Sequence, residues 1–204
     1  MRIIPLERKY ILHVADLHRR AFPNFFLTFL GTGFLREFYR SFPGEKNSIS
    51  YVAVDEPGDM VLGAVVGSAA PDHFFKKLVI RRWWAFGLSS LGALLKNPSI
   101  YRRLLRALKY RGDQPENEGY ALLSSIAVAP EARGLGVGQA LLKTWVEEVR
   151  RRQCRGAYLT TDALDNDRIN RFYQEAGWKL ESIFVTPEGR EMNRYIIIFN
   201  DQRT

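Results

Sequence analysis

Apolar residues at Ile11, Val14, Leu17 and Ala21 recur at the three- to four-residue spacing of one helix face, so Glu7 to Ala21 is expected to be a helix behind a short strand, Arg2 to Leu6. Pro23, with no amide to donate, ends it. An aromatic stretch from Phe25 to Gly31 leads into a second helix over about Gly33 to Ser41, closed by Pro43-Gly44. Two β-rich runs follow. Ile49 to Asp55 and Met60 to Ala69 flank the turn sequence Glu56-Pro57-Gly58-Asp59, which predicts an antiparallel hairpin.

Two further helices are expected over Phe74 to Leu95 and Pro98 to Tyr110, broken at Asn97-Pro98, with Asp113 to Gly119 as an exposed polar connection. Tyr120 to Val128 is a nearly continuous apolar run of strand length, the pattern of a central strand buried on both faces. After a glycine-rich turn, Leu141, Leu142, Trp145, Val146 and Val149 mark the apolar side of a helix reaching Arg152. A strand over Gly156 to Thr161 and a helix over Asp167 to Ala176 come next, with Gly177 as the left-handed stop. A second hairpin, Trp178 to Val185 and Asn193 to Phe199, turns at Thr186-Pro187-Glu188-Gly189.

Composition changes this picture mainly by exclusion. The 204 residues suit one domain, 1–204, and a lone cysteine, Cys154, excludes a disulfide scaffold and points to a reducing compartment. His13, His18 and His73 have no metal-ligand spacing, so no metal is expected. Charges at Arg2, Glu7, Arg8 and Lys9 stand where an export signal needs its apolar run, and the uncharged stretch Trp83 to Leu95 is too short to span a bilayer. A cytoplasmic protein is expected.

The net charge of +8 is localised. Between Asp72 and Gly112 lie ten basic residues, Arg81, Arg82 and Lys96 among them, against Asp72 alone, so the rest of the chain is close to neutral. One reading is a helical insertion, about 72–112, that covers the core and solvates its charges. The other is an amphipathic surface, with Trp83, Trp84 and Phe86 inside the basic border, for an anionic membrane or a phosphate-bearing lipid-linked acceptor at the inner membrane surface. Nucleic acid is not expected, because the segment carries no recognised binding motif.

The chemistry begins after the apolar strand. A strand, the run Arg133-Gly134-Leu135-Gly136-Val137-Gly138 and a helix start leave backbone N–H groups unpaired where the helix dipole favours an anion, and phosphate is the natural ligand. The dinucleotide fingerprint needs a small residue where Gln139 or Leu141 stands, and the nucleotide-triphosphate loop needs glycine before Lys143-Thr144, where this chain has Leu142. Arg-x-x-Gly-x-Gly, followed by Asn166, by Phe172-Tyr173 and by Gly177-Trp178, resembles instead the GCN5-related N-acetyltransferase (GNAT) superfamily over about Leu122 to Phe199.

That resemblance implies an α/β fold with a mixed central sheet whose parallel strands splay, and acetyl-CoA as cosubstrate. It assigns Ile126 and Val128 to the pantetheine and acetyl carbonyl through main-chain groups, Arg133, Gly134, Gly136 and Gly138 to the pyrophosphate, and Asn166 to the cofactor arm. Asn166 also reads as a helix N-cap, and Tyr173 as a core tyrosine. Tyr173 is the candidate acid for the departing thiolate, and Val128 N–H the candidate oxyanion donor.

The strand before the loop, Leu122-Leu123-Ser124-Ser125-Ile126, lacks the carboxylate that many members of that superfamily place there. Asp162 and Glu118 are the substitutes considered for the base. Without a strong base, acceptors of low pKa are favoured: an amine near 7.7 to 8.0 is neutral in roughly a tenth of molecules at pH 7, a lysine-like amine in roughly one per thousand or fewer. The expected reaction is acetyl transfer to the primary amine of a small molecule, with an amino sugar of surface-polysaccharide assembly as the favoured example. Acetylation of protein N-termini and a non-catalytic acetyl-CoA-binding module are the alternatives. A homodimer is left open. The aromatic cluster around Phe34, Phe38, Tyr39 and Phe42 reads as core, and His18 as a helix-surface or satisfied histidine.

Overall fold

The computed structural model describes residues 1–23, 26–56, 60–72, 74, 119–187 and 189–199. The helices expected between 74 and 110, the connection 113–119 and Glu118 lie outside the described residues, apart from Phe74 and Gly119. Seven strands form one mixed sheet: β1 (Arg2–Pro5), β2 (Ser48–Val54), β3 (Val61–Ser68), β4 (Tyr120–Val128), β5 (Gly156–Asp162), β6 (Lys179–Val185) and β7 (Glu191–Ile198), in the order β1-β2-β3-β4-β5-β7-β6. Every neighbouring pair is antiparallel except β4 and β5.

The first helical segment opens as a single tight turn, Arg8–Tyr10, before α1 (Ile11–Ala21), whose Ile11, Val14 and Leu17 are buried. The aromatic stretch contributes one helical turn, α2 (Phe26–Phe29), and α3 (Thr32–Arg40) buries Phe34, Leu35, Phe38 and Tyr39. α1 and α3 pack together, with α1 against β3 and β4. On the other side of the sheet lies α4 (Val137–Arg151), and α5 (Asp167–Glu175) follows β5.

Two glycines of β3 set how closely α4 lies on the sheet. A Cβ at Gly67 would stand 2.6 Å from the Trp145 ring and against the Leu122 carbonyl, and one at Gly63 would stand 2.9 Å from Leu141. Trp145 is fully buried there and donates its indole N–H to the Ile49 carbonyl at 3.2 Å, so its polar atom is satisfied inside the core.

One expectation is corrected. β4 is not buried on both faces: Ala121, Leu123 and Ala127 are buried, while Leu122, Ser125, Ile126 and Val128 are only partly so. Near-continuous burial belongs to β3, which has a strand on each side along its length, whereas the second half of β4 loses its neighbour β5.

Candidate active site

β4 and β5 pair only at Tyr120–Gly156, Ala121–Ala157 and Leu122–Tyr158. Beyond Leu122 the strands part, β4 staying with β3 and β5 with β7, so a wedge opens between two parallel strands. The Ala129 amide donates to the Leu62 carbonyl at 2.9 Å, and strand alternation then turns the main-chain groups of Ala127 toward β3 and those of Ile126 and Val128 toward the wedge. Inside a sheet such groups would be paired; here, among the described residues, β5 does not pair with them. A bulge adds to the bend: the register steps from Val66–Ser125 to Gly67–Leu123, leaving Ser124 as the extra residue of β4.

At the mouth of the wedge, Pro130–Ala132 makes a tight turn and Arg133 is extended. Gly134 (φ 80°) and Gly136 (φ 76°) take the left-handed conformation that side chains resist, and Gly136 is the N-cap of α4. No side chain caps this helix, and its first-turn amides, at Val137, Gly138 and Gln139, have no intrahelical acceptor. Gly138 is glycine for a different reason. Its backbone is helical, and a Cβ would lie 3.5 Å from Val128 and 3.6 Å from Phe172, ordinary contact. The protein alone therefore tolerates a small side chain there; larger ones would occupy the space in front of the amides. Unpaired N–H groups at a helix start four residues after Arg133, at Val137, suit a pyrophosphate.

Asn166 occupies the N-cap position of α5, yet its side chain makes no capping bond. Its amide nitrogen donates instead to Thr161 Oγ1 (2.8 Å) and to the Asp162 carbonyl (3.0 Å), which Asn170 also reaches at 3.2 Å. The end of β5 is thereby held, and Asn166 Oδ1 is left as an acceptor. Phe172 lies against Gly138, linking α5 to the loop.

Tyr173 is 5% exposed, edge-on to Phe172 and Trp178 and tilted on Tyr195. Burial pushes its phenol well above the ordinary tyrosine value, so it stays neutral, a hydrogen-bond donor. Asp162 is tied elsewhere: its Oδ1 accepts from Arg190 at 2.6 and 3.2 Å.

On the face of β4 opposite α4, three residues form a chain that the sequence did not announce. Tyr39 Oη lies 2.7 Å from His18 Nδ1 and 3.2 Å from Ser125 Oγ. His18 and Tyr39 are each 1% exposed. Desolvation lowers the His18 pKa to about 4, so the imidazole is neutral at physiological pH. His18 is therefore a buried histidine bonded through Nδ1, and not on a helix surface. Tyr39 and Ser125 stand 86 positions apart, a separation that no local pattern bridges. Arg20 at the end of α1 also reaches Glu131 before the glycine loop, at 2.9 and 3.1 Å, and Arg133 reaches the Ala21 carbonyl at 3.4 Å.

Among the described residues no group of three or more His, Cys, Asp and Glu is placed to hold a metal, and no helix is long and apolar enough to cross a membrane. The chain matches the family model of the GNAT acetyltransferases over residues 13–178. No curated protein sequence matches it. Among solved structures it is similar to aminoglycoside 6'-acetyltransferase type Ii (17% identity, 97% of each chain, TM-score 0.62) and to an aminoglycoside 6'-N-acetyltransferase complexed with coenzyme A (15% identity, 97% of each chain, TM-score 0.62). It is also similar to the ribosomal-protein-S18-alanine N-acetyltransferase from Escherichia coli, at 14% identity over 100% of this chain and 97% of that one (TM-score 0.58).

Proposed function

Because the chain belongs to the GNAT acetyltransferase family, with acetyl-CoA as its cosubstrate, we propose that it acetylates the primary amine of a small molecule, an amino sugar being the favoured class. The observation that carries this reading is the wedge between β4 and β5, whose β4 rim is lined on the α1–α3 face by the neutral hydroxyl of Ser125. A hydroxyl gives no charge compensation to an ammonium, so amines of low pKa, with a larger neutral fraction, fit it better than lysine side chains. The full-length likeness to aminoglycoside acetyltransferases supports the same class.

Acetyl-CoA supplies an activated acyl carbon and a thiolate leaving group. Arg133 and the amides from Gly136 to Gln139 hold its pyrophosphate, with Gly134 shaping the turn. Ile126 and Val128 offer main-chain groups to the pantetheine arm and the acetyl oxygen, Val128 N–H serving as oxyanion donor, and Asn166 Oδ1 accepts from the arm. Tyr173 donates its hydroxyl hydrogen toward the departing sulfur. A phenol whose pKa is raised by burial transfers that proton less readily than a free one, so its contribution is a strong hydrogen bond. In this scheme Asp162 anchors Arg190 and is not assigned as the base.

Peptide N-terminal amines share the low pKa, and the likeness to an alanine N-acetyltransferase makes protein N-termini the second reading. The basic excess between 72 and 112 suits a phosphate-bearing acceptor at an inner membrane surface and weighs toward the small-molecule reading. An acceptor screen that follows thiol release from acetyl-CoA, with amino sugars, aminoglycosides, free peptide N-termini and Nα-blocked lysine side by side, separates the two. Turnover restricted to the peptide or to blocked lysine would overturn the small-molecule reading.

A further inference from the structure

Two buried polar side chains on the acceptor face of β4 have no part in holding acetyl-CoA. His18 comes from α1 and Tyr39 from α3, and an apolar pair would fill the space between helices and sheet without the cost of desolvating an imidazole and a phenol. They form a chain that runs from His18 Nδ1 to Tyr39 Oη at 2.7 Å and on to Ser125 Oγ at 3.2 Å. Only its last member is partly exposed. Ser125 lies next to the bulge at Ser124, beyond the last residue of β4 that pairs with β5, which places it on the rim of the wedge. Its side is fixed by alternation. Gly63 and Val65, partners of Val128 and Ile126, face α4, so Ser125 and Ala127 face α1 and α3.

The chain has a direction. Desolvation keeps the imidazole neutral, so one ring nitrogen is an acceptor. Of the possible arrangements, the one matching the stronger acid to the stronger base has the phenol donating to Nδ1, which agrees with the shorter of the two distances. Tyr39 Oη has then spent its only hydrogen and accepts from Ser125. In this arrangement the Ser125 hydroxyl donates inward, and its partly exposed oxygen can still accept from a group at the rim.

We propose that Ser125 is the hydrogen-bond acceptor that receives an N–H of the incoming amine, and that Tyr39 and His18 are positioning residues that orient its lone pair. This rests on the amine-acetylation reading and adds a specificity to it: at this position of β4 a neutral N–H donor meets a hydroxyl oxygen, where a carboxylate would favour a permanently charged ammonium. Neither bond breaking nor net proton transfer to the chain is part of the proposal.

The test combines a readout free of turnover with one that needs it. Nitrogen-15 spectra of the histidine rings in the full-length protein, with the His18 signals identified by their absence in His18→Gln, should show the Nε2–H tautomer at pH 7 and a hydrogen-bonded acceptor signal at Nδ1. That signal should move toward the unbonded position in Tyr39→Phe. An Nδ1–H tautomer or an imidazolium at pH 7 overturns the orientation. In thiol-release kinetics with glucosamine, tobramycin and glycinamide as probe amines, Ser125→Ala should raise KM for a turned-over amine roughly five- to tenfold, the worth of one neutral hydrogen bond, while the Kd for acetyl-CoA stays within about twofold. Tyr39→Phe should show the same split, and the double variant should be little worse than either single one. A merely structural role would instead lower thermal stability and acetyl-CoA affinity together. Amine turnover by the wild type with an unchanged KM in Ser125→Ala overturns the role of Ser125 and leaves the amine reading standing. Absence of turnover with all three amines overturns both.

Discussion

The two faces of β4 solve opposite problems. Toward α4 the packing is apolar and close: Gly63 and Gly67 let the helix approach until the buried Leu141 and Trp145 touch the sheet, and the glycine loop opens at the end of that contact. Toward α1 and α3 the same strand buries a histidine and a tyrosine in hydrogen bonds and presents a hydroxyl at the wedge. A cosubstrate with a diphosphate can be held by backbone amides, which any sequence with the right glycines supplies. An acceptor must be told apart from its relatives by particular side chains, and those come from distant elements. The difference teaches where each kind of information resides: the glycine loop is written in one contiguous stretch, whereas the hydrogen-bonded chain needs three elements to meet.

The sharpest break in that comparison is Gly138→Glu. The backbone at Gly138 is helical and a Cβ there meets Val128 and Phe172 only at 3.5–3.6 Å, so the change brings no backbone strain, and a carboxylate at a helix start favours the helix. Calorimetry should find acetyl-CoA binding lost while the melting temperature is kept; retained affinity would remove the loop from the cofactor site. On the same face Trp145→Ala should destabilise by about 3–5 kcal/mol, read by denaturant unfolding, because the ring fills the space against Gly67 and its N–H satisfies Ile49.

The other face should show itself through pH. The His18 pKa is about 4 in the folded chain and about 6.5 unfolded, so the unfolded state binds the extra proton between those values. Above pH 6.5 the group contributes no pH dependence. As pH falls from 6.5 to 4, stability should drop by an amount on the order of 3 kcal/mol. The part of the acid slope between pH 6.5 and 4 that His18→Gln removes measures this contribution; an identical slope in both proteins would mean that the imidazole is not held neutral.

Smaller effects sharpen the comparison. Tyr173→Phe keeps the ring contacts with Phe172, Trp178 and Tyr195 and loses only the donor, so acetyl-CoA affinity should hold while single-turnover rates fall about ten- to a hundredfold. An unchanged rate would leave Tyr173 as packing. Least of all, Arg20→Ala should leave thermal stability within error, since its bridge to Glu131 is exposed and exposed pairs contribute little. A large loss of acetyl-CoA affinity in that variant would instead show that the bridge couples the two faces.

What the sequence determined by itself is what neighbours in the chain decide. The helices after β1 and after the glycine loop, both hairpins and the glycine turn rest on spacing within a few residues, and Arg133 to Gly138, Asn166 and Phe172-Tyr173 could be read as one register because β4, α4, β5 and α5 follow one another in the chain. Where reading went astray, the cause was non-local. The apolar run of β4 looked doubly buried because periodicity counts residues and cannot see that β5 departs after Leu122. Other contacts were simply out of reach of a local pattern: the ion pair of Asp162 joins it to Arg190, 28 positions away. For His18 the sequence left a helix-surface and a satisfied histidine open, and the buried alternative was chosen only when α3, folding back across α1, delivered Tyr39 to it and β4 delivered Ser125 to Tyr39. Only the tertiary structure made that chain: a hydrogen bond reaches about 3 Å whatever the sequence separation, so side chains far apart in sequence acquire their chemistry when packing has set them within that distance.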